Sequence, residues 1–404
     1  MTPTEKLAPG APPSADFVPL IVPEIRGNEW KYIKDCLDTN WVSSVGSYVE
    51  RFERMVAERV GVRHAIATVN GTAALHIALM LAGVEPNDEV IVSSLTFIAP
   101  VNAIRYVGAW PVFIDAESRF WQMNPAAVVE FLDNQCRRDG NTLRNKKTGR
   151  RVKAILPVHI LGHPVDLDPI LAAASKYSLP VIEDATEGLG AQYRGRNIGG
   201  LGLAGCFSFN GNKLITTGGG GMLVTDSPDL AERARYLTTQ AKDDPIEYVH
   251  NALGYNYRLT NVLAAMGCAQ MEKLDEFIDI KRQIAKTYDE KLRSIPGIAL
   301  PEEAEWAFST FWMYTVLIDE QKCGLSSREL LRGLGAKKIQ TRPLWQPIHR
   351  SPAHAESSNR ECPTADALHQ QALSLPCSVG LSRSAQLQVI EAIENLVGER
   401  NASR

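Results

Sequence analysis

The feature that most limits what this chain can fold into is a regular alternation of short apolar runs with helical segments between about residues 60 and 240. The runs HAIATV (64–69), EVIVSS (89–94), WPVFID (110–115), KAILPVH (153–159), PVIEDA (180–185), CFSFN (206–210) and GMLVTD (221–226) are mostly continuous rather than alternating. Strands read that way when both faces of their sheet are covered. Helical patterns fall between them at 72–81, 99–106, 125–132, 169–177 and 229–236. Such repeats predict an α/β fold with a mostly parallel central sheet, helices on both faces and a ligand site beyond the carboxyl ends of the strands.

A chain of 404 residues exceeds one compact core, and two domains are expected. Past residue 258 the pattern changes to NVLAAMGCAQMEKLDEFIDIKRQIAKTYDEKLRSI, which predicts one long bridging helix ended by Pro296 and Gly297. WMYTVLID then reads as a strand, SSRELLRGLGA as a helix capped by Ser326 or Ser327, and IQTRPLW as another strand. The division expected is a flexible arm over 1–18, a large α/β domain over 19–257, and the bridging helix with a smaller C-terminal α+β domain over 258–404. The basic stretch CRRDGNTLRNKKTGRRVK (136–153) reads as a solvated surface loop, with a polyanion patch as the sharper alternative.

Lys and Arg number 43 against 46 Asp and Glu, a balance without the basic excess that nucleic-acid binding needs. The seven cysteines are scattered, with no CxxC pair and no His cluster at zinc spacing, so reduced thiols and no metal are expected. The N-terminal MTPTEKLAPGAPPSADF lacks the apolar core of a signal peptide, and no apolar run reaches the length of a spanning helix. A cytoplasmic protein without nucleic-acid or membrane partners is the expectation.

Three segments carry candidate chemistry. In VNGTAALHIAL a strand ends, Gly71 allows close backbone approach and Thr72 opens a helix whose N–H groups and hydroxyl suit a phosphate; an ordinary capped helix reads the same way. In LPVIEDATEGLGA an apolar strand delivers Glu183 and Asp184 at its carboxyl edge. Asp184 is the better candidate to pair with a protonated ring nitrogen, and an acid that only caps the next helix is the alternative. In FSFNGNKLITTGGGGM, Lys213 follows Ser208 and precedes four glycines. A partly desolvated lysine there is a nucleophile toward aldehydes, whereas a surface lysine in a glycine-rich turn is the plain reading. An anion cradle, a ring-facing carboxylate and a nucleophilic lysine are together what pyridoxal 5′-phosphate requires.

With these residues in this order the chain resembles the DegT/DnrJ/EryC1/StrS family of nucleotide-sugar aminotransferases, of fold type I, from about Pro19 to at least residue 350. WVSSVGSYVERFE, FNGNKLITTGGGGM, EYVHNALGYNYRLTNVLAAMGCAQ and TRPLWQPIH look like the branch that aminates UDP-linked 4-keto-6-deoxy-N-acetylhexosamines toward bacillosamine or legionaminic acid. The resemblance implies that Lys213 forms the Schiff base with the cofactor and shuttles protons. It implies that Asp184 pairs with the pyridinium, that Gly71, Thr72 and Ser208 hold the phosphate, and that Phe97 stacks on the ring. Glu187 stands where many members have Gln near the ring hydroxyl, and Asn256 matches a residue donated to the partner's phosphate across a homodimer interface. L-glutamate is the expected amino donor. His159, His163, Arg342, Trp345 and His349 are candidates for the sugar and nucleotide side, although an exposed Arg beside a packed Trp is an equal reading of 342–345.

Within the same family, amination at C3 or of a GDP-linked 4-keto sugar would use the same cofactor machinery. Relatives acting as dehydratases replace the lysine that is present here as Lys213, and a regulatory homologue without turnover would not need Lys213 and Asp184 intact. A Rossmann oxidoreductase is disfavoured because GGLGLAG (199–205) has glycines but no acidic residue at a suitable distance on a following strand.

Overall fold

Seven strands build the central sheet of the computed structural model, which describes residues 17–244, 246–357 and 361–402. They are β1 (His64–Thr68), β2 (Glu89–Ser93), β3 (Trp110–Ile114), β4 (Val152–Leu156), β5 (Ile182–Asp184), β6 (Ala204–Ser208) and β7 (Gly221–Thr225). Their order across the sheet is β3-β2-β4-β5-β6-β7-β1, with β4 and β5 joined by the parallel bridges Ile155↔Val181 and Val158↔Asp184. Every pair is parallel except those made by β7, which runs against both β6 and β1. The cause is the connection 209–220, which contains no helix to carry the chain across the sheet. Thr68 and Ser208 both lie opposite Gly221, so β1 and β6 end where β7 begins. A cleft opens at that edge.

The expected strands and helices of this region are all present within three residues at either end, and the fold is α/β of the expected kind. Helix Gly71–Leu81 is almost wholly buried, as its run of Ala, Leu and Ile broken only by His76 and Met80 requires.

Several expectations need correction. The 136–153 loop contains a hairpin of Cys136–Asp139 and Thr142–Asn145, and part of its charge is paired within the chain. Arg151 meets Asp88 at 2.6 Å and Glu85 at 2.8 Å, while Arg144 meets Asp139 at 2.9 Å. Arg138 and Lys146 donate instead to backbone carbonyls, of Lys176 and Asn134. The long bridging helix is two helices, Asn261–Met271 and Leu274–Leu292. The first packs on helices Glu29–Asp38 and Ser47–Val60, and the break follows Glu272, whose carboxylate is drawn aside by Tyr32, Asn28 and Arg51. IQTRPLW is not a strand: Pro343 lacks an N–H, and only isolated bridges at Ile339 and Arg342 form.

In the C-terminal part, strand Tyr314–Ile318 lies between Ile298–Ala299 and Ala372–Leu375 in an antiparallel sheet, and helix Ser327–Ala336 begins with a full capping box of Ser326 and Glu329. The arm expected over 1–18 falls mostly outside the described residues; Val18 itself is buried and bridges to Ile339. All seven cysteines are buried, and among the described residues no helix is long and apolar enough to cross a membrane.

The wall behind the cleft depends on Glu183, which is fully buried in β5. Its Oε1 accepts from the N–H groups of Leu201 (2.6 Å) and Gly202 (2.7 Å), and its Oε2 from Gly199 N (2.7 Å). His159 Nε2 lies 3.2 Å from Oε2. Burial pushes this carboxyl up, but the hydrogen bonds from His159, Gly199 and Gly202 outweigh it and hold it below the ordinary glutamate value. A lowered acid stabilises the fold above its unfolded-state pKa, and the contribution is lost as pH falls through the folded one. Glu183→Gln puts an NH₂ against backbone donors. It should cost about 2–3 kcal/mol in urea unfolding at neutral pH, with the gap to wild type narrowing below pH ~4. An equal gap at both pH values would show that the charge carries none of the effect.

Candidate active site

The phosphate end of the cleft follows from how one strand becomes a helix. β1 stops at Thr68, and Asn70 caps the next helix by accepting from Ala73 N at 2.8 Å. Gly71 and Thr72 then stand in the first turn, where N–H groups have no intrahelical acceptor and the dipole is positive. Gly71 must be bare: a Cβ there would lie 2.9 Å from the Ser208 Cβ and 3.1 Å from Thr186 Cγ2. Ser208, at the end of β6, stands beside it. The result is a cradle of small donors fitted to a phosphate.

β5 settles which of its two acids faces the ligand. Successive side chains of a strand point to opposite faces, so Glu183 serves the 199–202 loop while Asp184 faces the cleft. Asp184 is 2% exposed, and its Oδ1 accepts from Thr186 N at 3.1 Å. Burial pushes its carboxyl above the usual value, against the pull of Thr186 and of the Lys213 cation. A buried carboxylate in that state is suited to a cationic partner such as a protonated pyridine nitrogen.

Lys213 is delivered by a tight turn, with its N–H donating to Asn210 O at 3.0 Å. Its Nζ lies 3.3 Å from Glu187 Oε1 and 4.2 Å from the centroid of the Trp312 ring. Glu187 also accepts from Leu161 N at 2.9 Å, and burial raises its acid, opposed by Lys213.

These residues share one cleft of about 290 Å³. Gly71, Thr72, Phe97, Asp184, Glu187, Ser208 and Lys213 all line it, and Phe97 is 54% exposed there, as an aromatic that covers a planar ligand would be. Trp345 lines it too. Asn256 does not; it is exposed on the segment before helix Asn261–Met271.

The other substrate candidates are not brought into the cleft. His159 is fully buried: Val165 N donates to its Nδ1 at 3.0 Å, so Nε2 carries the proton toward Glu183 and the ring is a neutral brace. His163 accepts from Ala304 N at 3.1 Å, donates to Pro164 O at 2.7 Å and stacks on Phe120. Burial pushes it down to about 4, against the Pro164 carbonyl and Glu303. His349 is buried against Ser94 Oγ at 2.6 Å, and Arg342 is exposed outside the cleft wall with its backbone paired to Ser374. Sequence reasoning missed Trp312, Thr186, Asn210 and Asn212 among the lining residues. Trp312 Nε1 donates to Asn212 O across 100 positions of chain, and no local pattern marks such a contact.

The donor set fits pyridoxal phosphate: a glycine-floored cradle for the phosphate, a buried acid for the ring nitrogen and a sheltered lysine for the aldehyde. Asp184→Asn should therefore act with opposite signs. A raised acid stabilises the fold below its unfolded-state pKa, and that contribution is lost as pH rises through the folded one. The cofactor-free variant should thus melt above wild type at neutral pH, with the difference shrinking in acid. The same variant should retain pyridoxal phosphate about tenfold or more weakly. Equal cofactor affinity in equilibrium dialysis would remove Asp184 from the site.

Residues 23–394 match the model of the DegT/DnrJ/EryC1/StrS aminotransferase family. The chain is 40% identical over 383 residues to the GDP-perosamine synthase of Caulobacter vibrioides, covering 94% of this chain and 98% of the relative. It is 37% identical over 384 residues to the GDP-perosamine synthase of Escherichia coli O157:H7, covering 95% and 100%. Among solved structures it superposes on DesV from S. venezuelae with a TM-score of 0.82 and 32% identity, over 92% of this chain and 94% of that one. With the cleft and these likenesses together, the chain belongs to the DegT/DnrJ/EryC1/StrS family and is a pyridoxal-phosphate-dependent sugar aminotransferase of fold type I.

Proposed function

We propose that the enzyme transfers an amino group from L-glutamate to C4 of a GDP-linked 4-keto-6-deoxy sugar, for a surface glycan. The observation that carries this reading is the near full-length likeness, at 37% and 40% identity, to two relatives named GDP-perosamine synthase. It favours the GDP-linked alternative over the UDP-linked N-acetylhexosamine expected from the motifs.

The residues of the cleft divide the work. Gly71 and Thr72 N–H groups, with Ser208 Oγ, would hold the cofactor phosphate; Asp184 would hold a proton on the ring nitrogen; Phe97 would cover the ring. Pyridoxal phosphate, when bound, supplies the carbonyl that takes up the amino group and the ring that delocalises the electron pair left at carbon. Lys213 Nζ moves the proton between the two reacting carbons, in both halves of the reaction. Its side chain is only 14% exposed, and Trp312 and Trp345 shield the same space, so the proton stays with the site rather than exchanging into water.

A homodimer belongs to the same proposal. Asn256 is exposed and does not line its own cleft, and the segment before it carries exposed apolar side chains: Ile246 (82%), Tyr248 (69%) and Leu253 (74%). Trp41 (56%) and Val45 (63%) are exposed on a loop tied to Asn261, whose Nδ2 donates to Trp41 O at 2.8 Å. Apolar surface of this kind is suited to a second copy that brings its own Asn256.

Incubation with GDP- and UDP-linked 4-keto sugars plus glutamate, read by mass spectrometry for amination and NMR for ring position, tests the substrate. The GDP-linked sugar should give kcat/KM about tenfold or more above the UDP-linked one, with nitrogen at C4. A reversed preference, or amination at C3, would contradict the proposal. For the dimer, Asn256→Ala should weaken cofactor retention about tenfold in a protein that still sediments as a dimer; unchanged retention would take Asn256 out of the shared site.

A further inference from the structure

Three strained residues meet at one small pocket. Trp121 (φ 67°), Leu161 (φ 61°) and Phe311 (φ 47°) are bulky residues in the left-handed region, and all three line one small pocket together with His163. Large L-residues enter that region only where surrounding structure over-determines them, and such sites gather at functional centres. Two of the three belong to loops that close on each other. Gly162 O accepts from Thr310 N at 3.0 Å and from Ser309 Oγ at 3.1 Å. Gly162 itself has φ 86°, and a Cβ there would stand 2.4 Å from Thr310 Oγ1 and 2.7 Å from Trp312 N, so the clasp closes only around glycine.

Both loops end on the partners of Lys213. Leu161 N donates to Glu187 Oε2 at 2.9 Å, leaving Oε1 on the Lys213 ammonium at 3.3 Å. Phe311 precedes Trp312, which is 3% exposed, is fixed by its Nε1 hydrogen bond to Asn212 O at 2.8 Å and presents its ring to Lys213 Nζ at 4.2 Å. Cys377 Sγ closes on Trp312 O at 3.7 Å. A cation over a desolvated indole face is favoured by the ring quadrupole, and more strongly than at an exposed site.

We propose that Trp312 is a positioning residue for Lys213: its ring and the Glu187 carboxylate form a two-sided clamp that holds the amine over the cleft. The clasp of 160–162 on 309–312 fixes the distance between the two sides. The inference rests on the reading of Lys213 as the lysine that takes the cofactor aldehyde. Among the described residues lining the cleft, the titratable groups are Asp184, Glu187 and Lys213, so the ring is the neutral part of the field that Nζ feels.

The test loads wild type, Trp312→Phe and Trp312→Met with pyridoxal phosphate and follows the visible absorbance band of the lysine–cofactor Schiff base across neutral to alkaline pH. Loss of the ring face should lower the pH of the band's transition by about one unit in Trp312→Met. Trp312→Phe keeps an aromatic face and should restore most of that difference. Trp312→Leu replaces the methionine variant if that one does not fold, and thermal unfolding separates stability from the spectral change. Variants that bind cofactor with the transition at the wild-type pH would overturn the clamp alone. A wild-type protein with no visible band would overturn the assignment of Lys213 and the clamp with it.

Discussion

Two adjacent carboxylates on a three-residue strand govern this molecule. The pleat of β5 sends Glu183 into the wall and Asp184 into the cleft. Glu183 gathers three backbone N–H groups of the 199–202 loop and the Nε2 proton of His159, fixing the strand end from behind. With the strand held, Asp184 is kept dry at the carboxyl edge, where burial makes its charge costly until a cation arrives. The same burial stabilises one function and destabilises the empty fold. That trade is common where a site is built for a ligand it must hold tightly.

The rest of the cleft is arranged around this point by topology. β7 runs against its neighbours because the connection before it is too irregular to cross the sheet, and its first residue, Gly221, meets the ends of β1 and β6. The cradle of Gly71 and Ser208 and the turn carrying Lys213 are thereby brought to the edge where Asp184 already lies. The C-terminal part contributes Trp312 and Trp345 from the other side, so the lysine is enclosed by residues from both halves of the chain.

The legible part of the sequence was the part whose chemistry is local. Asp184 ends an apolar strand and Gly71 and Lys213 come shortly after one, and a strand's carboxyl end is where an α/β sheet binds ligands. The histidines show the limit. His159 and His163 sit beyond a strand end, as ligands would, yet their ring nitrogens are satisfied by Glu183, Val165, Pro164 and Ala304, partners that spacing cannot reveal. The break at Glu272 and the hairpin at 136–145 escaped as well: Glu272 is held by Arg51 and Tyr32, far away in sequence, and the hairpin pairs two short polar strands that carry no apolar run. Trp312 read only as part of an apolar strand, because a ring that serves a lysine and a ring that fills a core have the same sequence signature.

The account's central claim is that three separated stretches converge on one cofactor with Lys213 at its aldehyde. Borohydride reduction of the pyridoxal-phosphate-loaded protein, followed by proteolysis and mass mapping of the labelled peptide, measures this directly. The account predicts a single modified peptide with the label on Lys213 in FNGNKLITTGGGGM. A label on any other lysine, or none in cofactor-saturated protein, would contradict it.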